Sequence, residues 1–89
     1  MIVAFTPGAL EEYRGWASDR AGLRRVNRII DDAARDPEAG IGKPERLRGD
    51  WSGYWSRRIT QEHRLVYTVT RLPDGVEVLL IVGCAGHYS

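Results

Sequence analysis

A single cysteine, Cys84, excludes an intramolecular disulfide and any cysteine-based zinc cage. Two histidines, His63 and His87, are too few for a typical zinc cluster, so no metal and no cofactor is expected. No apolar run approaches the roughly 20 residues that span a bilayer, and the start lacks a basic region followed by a signal-peptide core. The expectation is a soluble, cytoplasmic chain with no membrane partner. A charge excess is also missing: 13 basic residues against 12 acidic ones leave +1, too little for a general nucleic-acid coat or a polybasic membrane anchor. Lysine is nearly absent. Only Lys43 interrupts an all-arginine basic set, which reads as codon bias in a GC-rich genome or as guanidinium forks suited to phosphate.

The 89 residues suit one domain spanning 1–89. Charge is uneven along it. Residues 1–42 carry six basic and seven acidic groups, residues 43–71 seven and three, and residues 72–89 none and two. The positive charge therefore lies in one block.

Ile2–Thr6 is rich in β-formers, and Thr6-Pro7 has the form of a helix start. Leu10, Tyr13 and Trp16–Ala17 then step at helical spacing up to a break or bend at Asp19–Gly22. A second helical stripe runs through Leu23, Val26, Ile29–Ile30 and Ala33–Ala34 and ends before Pro37. Its other face, Arg24, Arg25, Arg28, Asp31, Asp32 and Arg35, is expected to meet solvent. From Glu45 the period changes to two, with strands expected at 45–48, 54–60, 64–70 and 76–83 and turns at Trp51-Ser-Gly and Leu72-Pro-Asp-Gly. The order predicts an α+β fold: two N-terminal helices packed on one face of a mainly antiparallel sheet.

Alternation has a chemical consequence. Leu65, Tyr67 and Val69 project toward the helices, and Arg64 toward the open face. Arg57 and Arg58 must point to opposite sides, so only one of them joins Arg64. Trp55, in step with Ile59, is expected under the helices, while Trp51 and Tyr54 flank the basic block, where aromatics can stack on bases. His63 shares the parity of Leu65 and reads as structural, and Cys84 reads as a small buried apolar residue. Taken singly, Glu45 is a solvated loop residue, His87 an idle tail residue and the arginines surface charge. Together they are the types that metal-free RNA cleavage needs: a base for the 2′-hydroxyl, an acid for the departing 5′-oxygen, and cations for the phosphorane.

Gly53-Tyr-Trp-Ser-Arg-Arg-Ile-Thr-Gln-Glu-His-Arg-Leu-Val-Tyr67 resembles the signature stretch of the YoeB/Txe toxins, within the RelE superfamily of toxin–antitoxin ribonucleases. Gly42-Lys-Pro-Glu45 with Leu47, and Cys84-Ala-Gly-His87-Tyr88, resemble the family's flanking motifs, and the likeness spans essentially the whole chain. Ser89 departs from the family's usual His-Tyr ending and moves the terminal carboxylate one residue out. The resemblance implies a microbial-ribonuclease-like fold and a messenger-RNA endonuclease of the ribosomal A site. It would act by 2′-hydroxyl attack and leave a 2′,3′-cyclic phosphate. By motif, Glu45 would be the general base, His87 the general acid and Arg64 the transition-state cation. Arg58 would orient the scissile phosphate, with Lys43 and Tyr88 also contacting substrate. The implied partners are a YefM/Phd-type antitoxin, the ribosome and its mRNA, operator DNA through the antitoxin alone, and a second toxin copy as a homodimer. Two other readings stay open at this level. One is an interaction module that inhibits another target or serves only antitoxin-dependent autoregulation. The other is a free ribonuclease, which would be expected to carry a signal peptide and often disulfides.

Overall fold

The computed structural model describes residues 1–86. Strand β1 (Ile2–Phe5) passes into helix α1 (Pro7–Gly15) at Thr6, whose side chain accepts the Ala9 N–H at 3.2 Å while Pro7 fills the first turn. One 3-10 turn, Trp16–Ser18, separates α1 from helix α2 (Arg20–Arg35). Asp19 caps α2 by accepting the Gly22 N–H at 2.9 Å, so the break is shorter than 19–22 and Gly22 lies inside the helix. A Cβ on Gly22 would come 2.5 Å from the Trp16 ring. Glycine is what lets α2 close on that indole.

Four further strands follow: β2 (Glu45–Arg46), β3 (Trp55–Arg58), β4 (Arg64–Arg71) and β5 (Glu77–Gly83). They form one sheet in the order β1-β5-β4-β3-β2, antiparallel except that β1 runs parallel to β5. Strands β2 and β3 are shorter than 45–48 and 54–60. After one last bond from Leu47 N–H to Tyr54 O at 2.9 Å, a 3-10 turn (Gly49–Trp51) takes the chain out of the ladder. At the other end of β3, the Ile59 and Thr60 N–H groups both turn onto His63 O.

The helices cover one face. Val26, Ile29, Ile30 and Ala33 of α2 and Ala9 of α1 pack with Trp16 on Leu65, Tyr67, Leu79 and Ile81. Val66, on the second face, is also fully buried.

One expectation fails. Asp32 does not meet solvent: it is 8% exposed and lies against the fully buried Arg57. All five N–H donors of Arg57 are used. Nη1 donates to Asp32 Oδ2 at 2.6 Å and Ile41 O at 3.1 Å, Nη2 to Asp36 O at 2.5 Å and Ala39 O at 3.0 Å, and Nε to Tyr67 Oη at 2.9 Å. Tyr67 in turn donates to Pro37 O at 2.6 Å. Asp32 also accepts the Ile41 N–H at 2.9 Å and pairs with Arg35. Its carboxyl is held below the ordinary range first by the Ile41 amide and next by Arg57. Burial pushes the Tyr67 phenol up, against the pull of Arg57. This cluster pins loop 36–41 to the underside of the sheet.

Candidate functional site

Register decides which charged side chains share a surface. Arg58 stands opposite Arg64, Ser56 opposite Val66, and Glu45 opposite Ser56. Alternation places Glu45, Arg58 and Arg64 on the face turned away from the helices, whereas Arg57, opposite Leu65, faces them. Arg58 is therefore the arginine that joins Arg64. Glu45 is the diagonal neighbour of Arg58, which sets their Cα atoms about 7–8 Å apart. Two guanidiniums directly opposite one another destabilise a bare ladder, and among the described residues no carboxylate pairs with either. An anion between them removes that repulsion.

Each of the three is held from the main chain. Arg58 N–H donates to Gly42 O at 2.6 Å, which ties the loop ahead of Glu45 to the end of β3. Gly42 has φ 79°, and a Cβ there would meet Ile29 Cδ1 at 2.7 Å and Arg58 O at 3.0 Å, so only glycine brings the loop this close. Arg64 Nη1 donates to the carbonyls of Thr60, Gln61 and His63 at 2.9, 3.2 and 3.2 Å. Among the described residues, that leaves its Nε and Nη2 edge, with three N–H groups, for an anion. Lys43 Nζ lies 3.7 Å from Glu45 Oε1, both side chains exposed, a contact worth about 0–1 kcal/mol.

Lys43 also adopts φ 55°, the left-handed region that costs a non-glycine residue about 1–2 kcal/mol. Lys43→Gly is expected to raise the melting temperature by about 4–8 °C, the shift that ~1 kcal/mol produces in a domain this size. Thermal melts of the two proteins check the shift.

His87 and Tyr88, with Ser89, lie outside the described residues. Their approach does not. Arg64 N–H donates to Gly86 O at 3.0 Å, so the main chain reaches residue 86 beside Arg64. Cys84 is fully buried. Its N–H donates to Glu12 Oε1 at 2.8 Å and its carbonyl accepts the Trp16 indole N–H at 2.9 Å. Burial, then the Glu12 carboxylate, pushes the thiol up to about 12, which fits the apolar role expected of it. Trp55 packs against the core with Arg46 over its ring at 5.2 Å, as its parity predicts. Trp51 and Tyr54 meet edge to face at 5.3 Å.

Three contributors escape the sequence pattern: the Asp32–Arg57 pair, the Gly42 carbonyl, and His63, whose Nδ1 accepts the Gly86 N–H at 2.8 Å. A signal existed for Asp32, which sits three residues after Ile29 and next to Ala33 in the apolar stripe. Among the described residues no group of three His, Cys, Asp or Glu side chains is placed to hold a metal, and no helix is long and apolar enough to cross a membrane.

Comparison with known proteins adds a family. The model of the YoeB-like toxin of bacterial type II toxin–antitoxin systems matches residues 5–88. Toxin YoeB of Streptomyces coelicolor is 52% identical over 89 residues, 99% of this chain and 100% of the relative. Among solved structures, a YoeB/ParE toxin from Agrobacterium tumefaciens superposes with TM-score 0.91 at 42% identity, covering 99% of this chain and 100% of that one. A heterotetrameric YoeB–YefM toxin–antitoxin complex from Staphylococcus aureus gives 0.83 at 37%, and a YoeB dimer from the same organism 0.82 at 37%, each covering 99% and 98%.

Proposed function

The chain belongs to the YoeB-like toxins of bacterial type II toxin–antitoxin systems, and from that premise we propose that it is a metal-independent messenger-RNA endoribonuclease acting in the ribosomal A site. Glu45 takes the 2′-hydroxyl proton, and O2′ attacks the adjacent phosphorus. Arg64 and Arg58 carry the charge of the phosphorane, and His87 protonates the departing 5′-oxygen. The products are a 2′,3′-cyclic phosphate and a 5′-hydroxyl end. Lys43 and Tyr88 contact the substrate beside that centre. The observation that supports this most is the register, which puts the Glu45 residue diagonal to Arg58, itself opposite Arg64, on one open face. The main chain leading to His87 arrives at the same place.

The remaining proposals follow from the family. A YefM/Phd-type antitoxin would cover the open face, operator DNA would be bound through the antitoxin, and the toxin would act in the cytoplasm as one domain of residues 1–89 that pairs as a homodimer. A modest net charge fits a nuclease to which a larger machine presents RNA.

The chemistry is tested with an mRNA carrying one 2′-deoxynucleotide at the scissile position on programmed ribosomes. The deoxy substrate is expected to stay intact while the ribo substrate yields a cyclic-phosphate end. Cleavage of the deoxy substrate, or a 5′-phosphate product, would sink the mechanism.

A further inference from the structure

Glu45 stands in β2, a two-residue strand at the edge of the sheet. Among the described residues its one ion pair is the exposed contact with Lys43 at 3.7 Å, so its side chain is placed by the main chain that carries it. So short an edge strand holds little by itself. The chain arrives there from helix α2 through residues 36–44, which contain no helix or strand, and that stretch is fastened from β3.

The fastenings come from two consecutive residues. Arg57, facing the helices, donates to Asp36 O at 2.5 Å, Ala39 O at 3.0 Å and Ile41 O at 3.1 Å. Arg58 donates its main-chain N–H to Gly42 O at 2.6 Å. Ile41 is gripped twice, because its N–H also reaches Asp32 Oδ2 at 2.9 Å, the oxygen that Arg57 Nη1 meets at 2.6 Å. A Cβ on Gly40 would stand 1.9 Å from that same oxygen and 3.1 Å from Arg57 Nη1. The loop is therefore wrapped onto the pair with no side chain between them. Only Lys43 and Pro44 separate the last fastened residue from Glu45. Ser56, which stands opposite Glu45, immediately precedes Arg57. A buried ion pair adds little stability over apolar residues of the same volume; what this fork adds, with three loop carbonyls on it, is a fixed path for the chain.

We propose that Arg57 is a positioning residue for Glu45. From the helix side of β3 it sets the course of the loop, and the loop sets where Glu45 stands relative to Arg58 and Arg64. The two adjacent arginines divide the work: Arg58 meets the phosphate, and Arg57 places the base beside it. This rests on Glu45 being the general base.

The test uses the full chain, with kcat and KM on programmed ribosomes, corrected for the folded fraction and taken well below each protein's own melting midpoint. Arg57→Lys keeps the charge and loses the fork; Gly40→Ala keeps every donor and pushes the loop away. Each is expected to lose about tenfold or more in kcat, since a misplacement of ~1 Å can cost about 10²-fold, with KM within about twofold. Amide exchange at Arg58 is expected to run at least about tenfold faster in both, as Gly42 O moves off. In a Glu45→Gln background the same substitutions are expected to cost less than about twofold in kcat, because the group they misplace is already gone. A loss of stability alone leaves kcat of the folded protein unchanged. Tyr67→Phe, which removes only the hydroxyl between Arg57 and Pro37, carries the same test at about threefold if neither of the others folds. Folded variants with wild-type kcat overturn the proposal, as does a loss in kcat that is undiminished in the Glu45→Gln background. Full cleavage by Glu45→Gln alone removes the base and the proposal with it, a result distinct from an intact need for Glu45 with indifference to Arg57.

Discussion

Glu45→Gln and His87→Ala are each expected to slow mRNA cleavage by about 10²–10⁴-fold, the usual worth of a positioned base or acid, and to abolish growth arrest while leaving antitoxin binding intact. Glutamine keeps the shape of Glu45 and its exposed place opposite Ser56, so what is removed is proton acceptance. The two losses are not additive, because base and acid serve one transition state; the double variant is expected to fall little below either single one. The pH profile separates the roles. A base must be deprotonated, so it sets the limb along which activity falls in acid; an acid must be protonated, so it sets the limb along which activity falls in alkali. Glu45→Gln is expected to remove its part of the acidic limb and His87→Ala the alkaline one. Residual cleavage measured across pH on programmed ribosomes, beside antitoxin pull-down, reads both. Unchanged toxicity of His87→Ala would return the chain to an interaction module.

Arg57→Met is expected to have the largest effect on stability. Methionine fills much of the volume but supplies none of the donors that reach Asp32, Ile41, Asp36, Ala39 and Tyr67. Removing one partner of a buried ion pair costs about 3–5 kcal/mol, and each kcal/mol moves the melting temperature of such a domain by about 4–8 °C. A drop of about 12 °C or more is expected by calorimetry. Arg57→Lys does not repair it, since an ammonium offers three donors from one point where a planar fork places five. Asp32 adds a pH signature. Its carboxyl is held low in the fold, so its stabilisation is present above the ordinary aspartate range near pH 4 and is lost as pH falls further. Asp32→Asn is expected to flatten that acid decline in melting temperature.

The strand residues were the legible part of the site. Period two alone placed Arg64 on the open face and forced Arg57 and Arg58 apart, because side-chain direction along a strand needs no tertiary knowledge. What Arg57 meets could not be read the same way. Its partners are a helix residue 25 positions earlier and the carbonyls of a loop with no period at all. The solvent assignment of Asp32 came from counting charges on a helix face, although its spacing from Ile29 and Ala33 put it at the edge of the apolar stripe. The short lengths of β2 and β3 were hidden for a related reason: the alternation continues past Arg46, but the 3-10 turn at Gly49–Trp51 ends the pairing. The parallel pairing of β1 with β5 joins segments 76 positions apart and leaves no local mark.

That pairing also governs when the protein can become a toxin. Strand β5 is the last of the five to be synthesised, yet it sits between β1 and β4. Until residues 77–83 are available, β1 with its helices and the β2–β3–β4 group are two fragments with no shared ladder. Contacts of such long sequence separation form late and slowly. Cys84 extends the constraint, because its main chain is gripped by Glu12 and Trp16 from the first-made helical layer. A growing chain therefore cannot close its five-stranded sheet until residues 77–83 have been made, and before that point it is two unjoined halves rather than the folded toxin.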